Sequence, residues 1–226
     1  MNKLHALWRE YRGTFWFISL MMVFRSAVAD WNYVPSSSMN PTLVAGDRVV
    51  VSKMAYSLRV PFTLLELARW DAPHAGDVIT FDSPKDDVNL IKRVVAVAGD
   101  VVAMHDNQLI INGQAVPRTL LEPSHELVTE AGRFDAEIWR ENLQGVVIDV
   151  ARLPLMNRST DFAAVQVPKG QLLVLGDSRD NSNDSRFIGF IDVHRVTGKA
   201  LRVALSHDSD HLYLPRANRW WLALHS

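Results

Sequence analysis

Apolar positions along this chain follow two patterns. From Thr14 to Phe24 the sequence reads TFWFISLMMVF, with Lys3, Arg9 and Arg12 ahead of it and Arg25 behind. A helix from Gly13 to Ala29 is about 25 Å long, slightly short of a hydrocarbon core of about 30 Å. Arg25 can snorkel to the headgroups, with Trp31 and Tyr33 at the same interface. The basic residues ahead of the run keep the amino terminus in the cytoplasm. Two other readings compete with a retained anchor. One is a cleavable signal peptide ending in Ala27-Val28-Ala29, and the other is a buried core helix.

After Asp30 the pattern changes to short apolar runs between turn residues: Arg48–Ser52, Asp77–Phe81, Asn89–Ala98, Gln108–Asn112, Gln171–Leu175 and Lys199–Leu205. Runs of this length, rich in Val, Ile and Leu, predict strands and a mainly β fold. Asn112-Gly113 between LII and QAV predicts a two-residue hairpin. Residues 106–168 are poorer in signals and read as an inserted subdomain. The divisions are then 1–12 for the amino terminus, 13–30 for the anchor, 31–105 with 169–226 for the core, and 106–168 for the insertion. At the end, Trp220 and Trp221 beside Arg219 suit a strand, a core plug or a membrane-surface patch, with core packing as the default.

Composition narrows the chemistry. Of 226 residues, 48% are hydrophobic and 22% charged, and the net charge of −1 gives no reason to expect a nucleic-acid partner. Cysteine is absent, which removes thiol catalysis, disulfides and Cys-based zinc sites.

Three polar segments stand out. Pro35-Ser36-Ser37-Ser38-Met39-Asn40-Pro41 sets three serines between prolines, either a linker or an exposed nucleophile turn. In Asn89-Leu90-Ile91-Lys92-Arg93-Val94, period-two alternation flanks Lys92 with Leu90 and Val94. By itself this is an edge-strand lysine. The run from Gly176 to Arg186 is dense enough in polar residues for a rigid hydrogen-bonded loop. A calcium loop starting at Asp180 fails, because Ser185 stands where the turn glycine belongs and Ile191 where the bidentate Glu belongs. His207 and His211, four apart, suit zinc only on a helix, and a solvated loop is the simpler reading.

Together these segments resemble bacterial type I signal peptidase, the S26 family of Ser–Lys endopeptidases. The resemblance covers the amino-terminal anchor, PSSSMNPTL, GDVITF, LIKRVVAVAGD and GDSRDNSNDSRFIGFI, in the family's order. It implies a catalytic core of antiparallel β-sheet with an inserted β-rich subdomain and one amino-terminal transmembrane helix. Ser38 matches the nucleophile and Lys92 the general base. Ser36 matches the hydroxyl that joins the Ser38 N–H in the oxyanion hole, and Ser182 the serine that orients the lysine amine. Asp184 and Arg186 match a supporting ion pair, and Met39, Leu43 and Ile91 match walls of the substrate pocket. The resemblance implies no cofactor and no metal. It implies preproteins with small residues at −1 and −3 as substrates, and membrane lipid and the export machinery as neighbours. The location it implies is the inner membrane, with the catalytic domain on its outer side. Asn32 departs from the usual aromatic, Ser37 from the usual glycine and Ser178 from the usual asparagine.

The chemistry makes demands of its own. A serine hydroxyl needs a base, and lysine is one only when neutral, which its ordinary pKa of about 10.4 forbids at pH 7. Burial among apolar groups lowers that value. Two alternatives remain at this stage: another Ser–Lys maturation peptidase, such as one from a conjugation system, and an inactive membrane-tethered β scaffold that binds preproteins.

Overall fold

The computed structural model describes residues 2–61, 63, 65–156, 160–208 and 214–224, with side chains from residue 8 onward. The leading apolar run lies within a helix, Asn2–Ala27. Its large side chains from Trp8 to Phe24, including Phe15, Trp16, Phe17 and Leu20, are exposed, so it is not a core helix. Among the described residues no helix is long and apolar enough to cross a membrane. The helix stops before the predicted boundary at residue 30. Ala29 and Asp30 already pair with Ser52 and Val51 in the first strand, Ala29–Tyr33. Arg25 closes the junction, bonding Asp30 at 2.6 Å and lying 4.9 Å over the Trp31 ring.

An eight-stranded sheet forms the core. Its order is Ala29–Tyr33, Asp47–Ser52, Val196–Asp208, Val78–Asp82, Asn89–Val97, Gln171–Leu175 and Ile191–Asp192, with Leu214–Pro215 added to the Val196–Asp208 strand. Every pairing is antiparallel, as the resemblance implies. The 13-residue Val196–Asp208 strand shifts register between Ala200 and Arg202 and again between Val203 and Leu205. Such bulges bend a long central strand so that it serves both neighbours.

Besides the two-stranded pair of Ser57–Arg59 and Glu66–Arg69, two smaller sheets follow. One is three-stranded: Arg118–Thr129, Gly132–Leu143 and Val146–Arg152. The other joins Phe162–Gln166, Val101–His105, Gln108–Ile111 and Gln114–Ala115, with the predicted turn at Asn112-Gly113, both at positive φ. Neither stands apart from the core. Val95, Ala96, Leu173 and Leu175 of the main sheet share one apolar cluster with Val102, Leu109, Leu143 and Val150. A common core of this kind holds the inserted strands in a fixed position over the main sheet.

At the carboxyl end the packing is done by residues other than the tryptophans. Trp220 and Trp221 are exposed, while Leu224 is buried in the cluster of Met39, Leu43 and Val49. Arg219 donates to buried Asp47 at 2.7 Å and to the Thr42 carbonyl at 2.9 Å. A bridge between Arg202 and Ala223 fixes which side chains turn inward. His211 lies outside the described residues, and with it the spacing to His207.

Candidate active site

The serine turn is pinned from beneath. Met39 and Leu43 are fully buried beside Val34, Val49, Val51 and Val78, with Ile91 packed against the same cluster. The Leu43 N–H donates to the Met39 carbonyl at 2.8 Å. Two apolar anchors thus hold the residues that follow Ser38, and the serine itself is 8% exposed.

Lys92 comes from the Asn89–Val97 strand of the main sheet. Across the ladder it faces Ile79, and Leu90 faces Phe81. Ile79, Phe81, Leu90 and Val94 form one apolar cluster, as the alternation predicted for Leu90 and Val94. Lys92 is 3% exposed, and its Nζ lies 2.8 Å from Ser38 Oγ and 2.9 Å from the Ile91 carbonyl. Burial pushes the amine down to about 8, while the carboxylates of Asp184, Asp177 and Glu130 pull it upward. That pull is limited, because Asp184 is bonded to Arg186 and Asp177 to Arg93.

The polar loop closes the site. Its Ser178 N–H donates to the Ser38 carbonyl at 3.1 Å. Asp184 is buried and takes two bonds from the Arg186 side chain, at 2.8 and 2.7 Å, and one from the Gly176 N–H at 3.0 Å. Burial opposes ionisation of Asp184, but Arg186 outweighs it and holds the carboxyl below its usual range. Ser182 Oγ is buried near Asp184 and helps hold that carboxyl down, though it meets no partner in full hydrogen-bond geometry among the described residues, and neither does buried Ser178 Oγ. Gly176 has a role the sequence did not reveal: a Cβ there would collide with Ser182 Oγ and the Ser38 carbonyl oxygen. Gly176→Ala is therefore expected to cost about 1–3 kcal/mol of stability and to disturb Ser38 and Ser182 together. Thermal midpoints and cleavage rates of the variant check this, and wild-type values for both would contradict it.

The Ser36 and Ser38 hydroxyls are 3.2 Å apart. The Ser38 N–H donates to no group among the described residues, which leaves it available to an incoming oxygen. The Ser37 N–H is not available, since Glu130 accepts it at 2.7 Å. In the first strand, Asn32 is half-buried while Trp31 and Tyr33 on either side are exposed, so neither aromatic takes its place on the inner face.

Sequence reasoning missed several other groups. Arg93, next to Lys92, makes a buried bidentate pair with Asp177 at 2.8 and 2.7 Å, joining the lysine strand to the polar loop. Arg179 does the same with Glu141 of the inserted sheet, at 2.6 Å. Asp180 accepts the Leu153 N–H at 2.7 Å and the Asn107 amide at 2.8 Å, and burial raises its pKa. Each residue was visible as a charge, but no local signal names its partner.

A family model described as signal peptidase, peptidase S26, matches residues 8–204. The chain is 33% identical to a signal peptidase I of Pseudomonas fluorescens, over 97% of this chain and 80% of that protein. It is 30% identical to a signal peptidase I of Pseudomonas aeruginosa, over 91% of this chain and 75% of that protein. Similarity to a signal peptidase I of Aquifex aeolicus is also 30%, over 90% of this chain and 86% of that protein.

Proposed function

The chain belongs to the signal peptidase family, peptidase S26, whose members are serine endopeptidases that cleave signal peptides, and we propose that it does so with a Ser38–Lys92 dyad at the outer face of a bacterial inner membrane. The observation that carries this reading is the 2.8 Å approach of Lys92 Nζ to Ser38 Oγ, with the amine buried. Neutral Lys92 removes the Ser38 proton as Oγ attacks the scissile carbonyl carbon. The tetrahedral oxyanion accepts bonds from the Ser38 N–H and the Ser36 hydroxyl. The C–N bond breaks as the Lys92 ammonium protonates the leaving amine, which is the new amino terminus of the mature protein. Lys92 then deprotonates a water that attacks the acyl carbon. The bond from that carbon to Ser38 Oγ breaks as the Lys92 ammonium returns the proton to Oγ, and the signal peptide leaves with a free carboxylate.

Ser182 is the group assigned to orient the Lys92 amine, its buried hydroxyl lying beside Asp184 in the loop that closes over the lysine. Asp184 and Arg186 hold the loop that carries Ser182. Met39, Leu43 and Ile91 are assigned to the floor and wall of pockets for small side chains at −1 and −3. Residues 31–105 and 169–226 form the catalytic core in this reading, with 106–168 inserted. Ser36→Ala is expected to lower kcat by roughly 10²–10³ through loss of one oxyanion donor. An unchanged rate removes Ser36 from the site.

The Asn2–Ala27 helix is assigned as the membrane tether, with the amino terminus in the cytoplasm. Exposed aromatic and aliphatic side chains along its length support this. The run from Thr14 to Phe24 covers only about 16 Å as a helix, so Arg12 and Arg25 must reach toward headgroups on either side. Incubating the detergent-solubilised chain with a preprotein should release a product cut after a small residue. The tethered chain itself should resist carbonate extraction and keep its helix. Amino-terminal sequencing that starts at Asp30 would show instead that Ala27-Val28-Ala29 had been cut.

A further inference from the structure

The inserted hairpin reaches the catalytic turn through one carboxylate. Glu130 lies at the tip between Arg118–Thr129 and Gly132–Leu143, where Thr129 pairs with Gly132. The tip is braced from within: Thr129 Oγ1 donates to the Gly132 carbonyl at 3.0 Å and accepts the Ala131 N–H at 3.2 Å. From this tip Glu130 accepts both the N–H and the hydroxyl of Ser37, each at 2.7 Å. The Asn181 amide donates to Ser37 Oγ at 2.7 Å and to Glu130 at 3.4 Å. Ser37 precedes Ser38, and Asn181 precedes Ser182. The same carboxylate is therefore tied to the residues immediately before both catalytic-loop serines. Farther along the hairpin, Glu141 grips Arg179 of the same polar loop.

We propose that Glu130 is a positioning residue, setting the nucleophile turn through Ser37 and the lysine loop through Asn181, so that the inserted hairpin is part of the catalytic scaffold. This rests on the Ser38–Lys92 reading. Ser37 stands where the family usually has glycine, and its hydroxyl supplies two of the contacts in this cluster. Burial opposes ionisation of Glu130, but the Ser37 and Asn181 bonds outweigh it and hold the carboxyl below its ordinary range. The clamp therefore stays charged at the pH where Lys92 works.

Glu130→Ala and Glu130→Gln should each be measured for preprotein cleavage across pH, thermal midpoint and hydrogen exchange of the 36–39 segment. The expected result is a fall in kcat of roughly 10- to 100-fold with KM changed by less than about threefold, because attack geometry is lost and substrate binding is not. Exchange at 36–39 should quicken about tenfold as the turn loosens. Removing the Glu130 charge also removes one attraction for the Lys92 ammonium, leaving those of Asp184 and Asp177, each paired with arginine. The rise of kcat/KM should then move to lower pH, a displacement that a purely structural brace would not produce. Glu130→Gln keeps the size of the side chain and one acceptor, so it stays interpretable where Glu130→Ala fails to fold. Wild-type kcat in Glu130→Gln, or unchanged exchange at 36–39, overturns the proposal. Cleavage that survives Ser38→Ala defeats the dyad reading instead, and the exchange result then decides the clamp by itself.

Discussion

Lys92→Met is expected to be inactive, yet at least as stable as the wild type between pH 6 and 7. Methionine keeps similar apolar bulk at this buried position, opposite Ile79 in the ladder, but cannot accept the Ser38 proton. The sign of the stability change follows from proton linkage. In the unfolded chain Lys92 titrates near 10.5, and in the fold burial brings it to about 8. Below pH 8 the amine is protonated in both states, and the folded state bears the whole cost of burying the ammonium, about 3 kcal/mol. Between the two values the unfolded chain binds more protons, so stability rises with pH. Above about 10.5 the amine is neutral in both states and the cost vanishes. Methionine removes this dependence. The lost bonds to Ser38 and the Ile91 carbonyl offset roughly 1 kcal/mol each. The net gain of about 1 kcal/mol raises the thermal midpoint by about 2–4 °C near pH 6, and by pH 10, where most of the burial cost has gone, the lost bonds make the variant the less stable of the two. Lys92→Arg should be inactive too, since a guanidinium stays protonated. In the wild type kcat/KM should rise with pH through about 8, where Lys92 becomes neutral. Activity in Lys92→Met would eliminate the dyad. A clearly destabilised, inactive Lys92→Met would mean that the resting amine is charged and paired.

Ser38→Ala should abolish cleavage and leave the fold intact. The substitution removes one oxygen, and the turn is held by Met39, Leu43 and the Ser178 bond to the Ser38 carbonyl, none of which involves the hydroxyl. The Ser38 N–H also remains, so substrate affinity should be nearly unchanged while kcat falls to background. Lys92 loses an acceptor but keeps the Ile91 carbonyl at 2.9 Å. Circular dichroism, the thermal midpoint and cleavage of a preprotein by a freshly purified sample check this. Residual product at more than about one part in 10⁴ of the wild-type rate would assign the attack to another group.

Some features were readable because they depend on neighbours in sequence. Alternation over LIKRVV predicted a strand that packs Leu90 and Val94 beside Lys92, and Asn112-Gly113 predicted its hairpin. The dense polar run predicted a loop tied by its own hydrogen bonds, which Asp184, Arg186 and Gly176 supply. The helix was readable as well, but its end was not. Ala29 and Asp30 leave the helical pattern because the sheet offers them partners, and no local residue announces that.

What the sequence determined by itself was the kind of chemistry and its order along the chain: a serine turn, a lysine on a strand, a polar loop and an amino-terminal apolar segment. Tertiary structure alone decided which groups meet. Lys92 lies 54 residues from Ser38, Arg93 lies 84 from Asp177, and Glu130 lies 93 from Ser37. The basicity of Lys92 belongs to this second class, since it depends on how much water the assembled sheets exclude. So does the role of the inserted hairpin, whose charges read locally as a solvated surface. Periodicity and turn chemistry act over a few residues and leave a trace in the order of amino acids. Burial and ion pairing depend on chain topology, and topology brings together side chains whose positions in sequence carry no mark of one another.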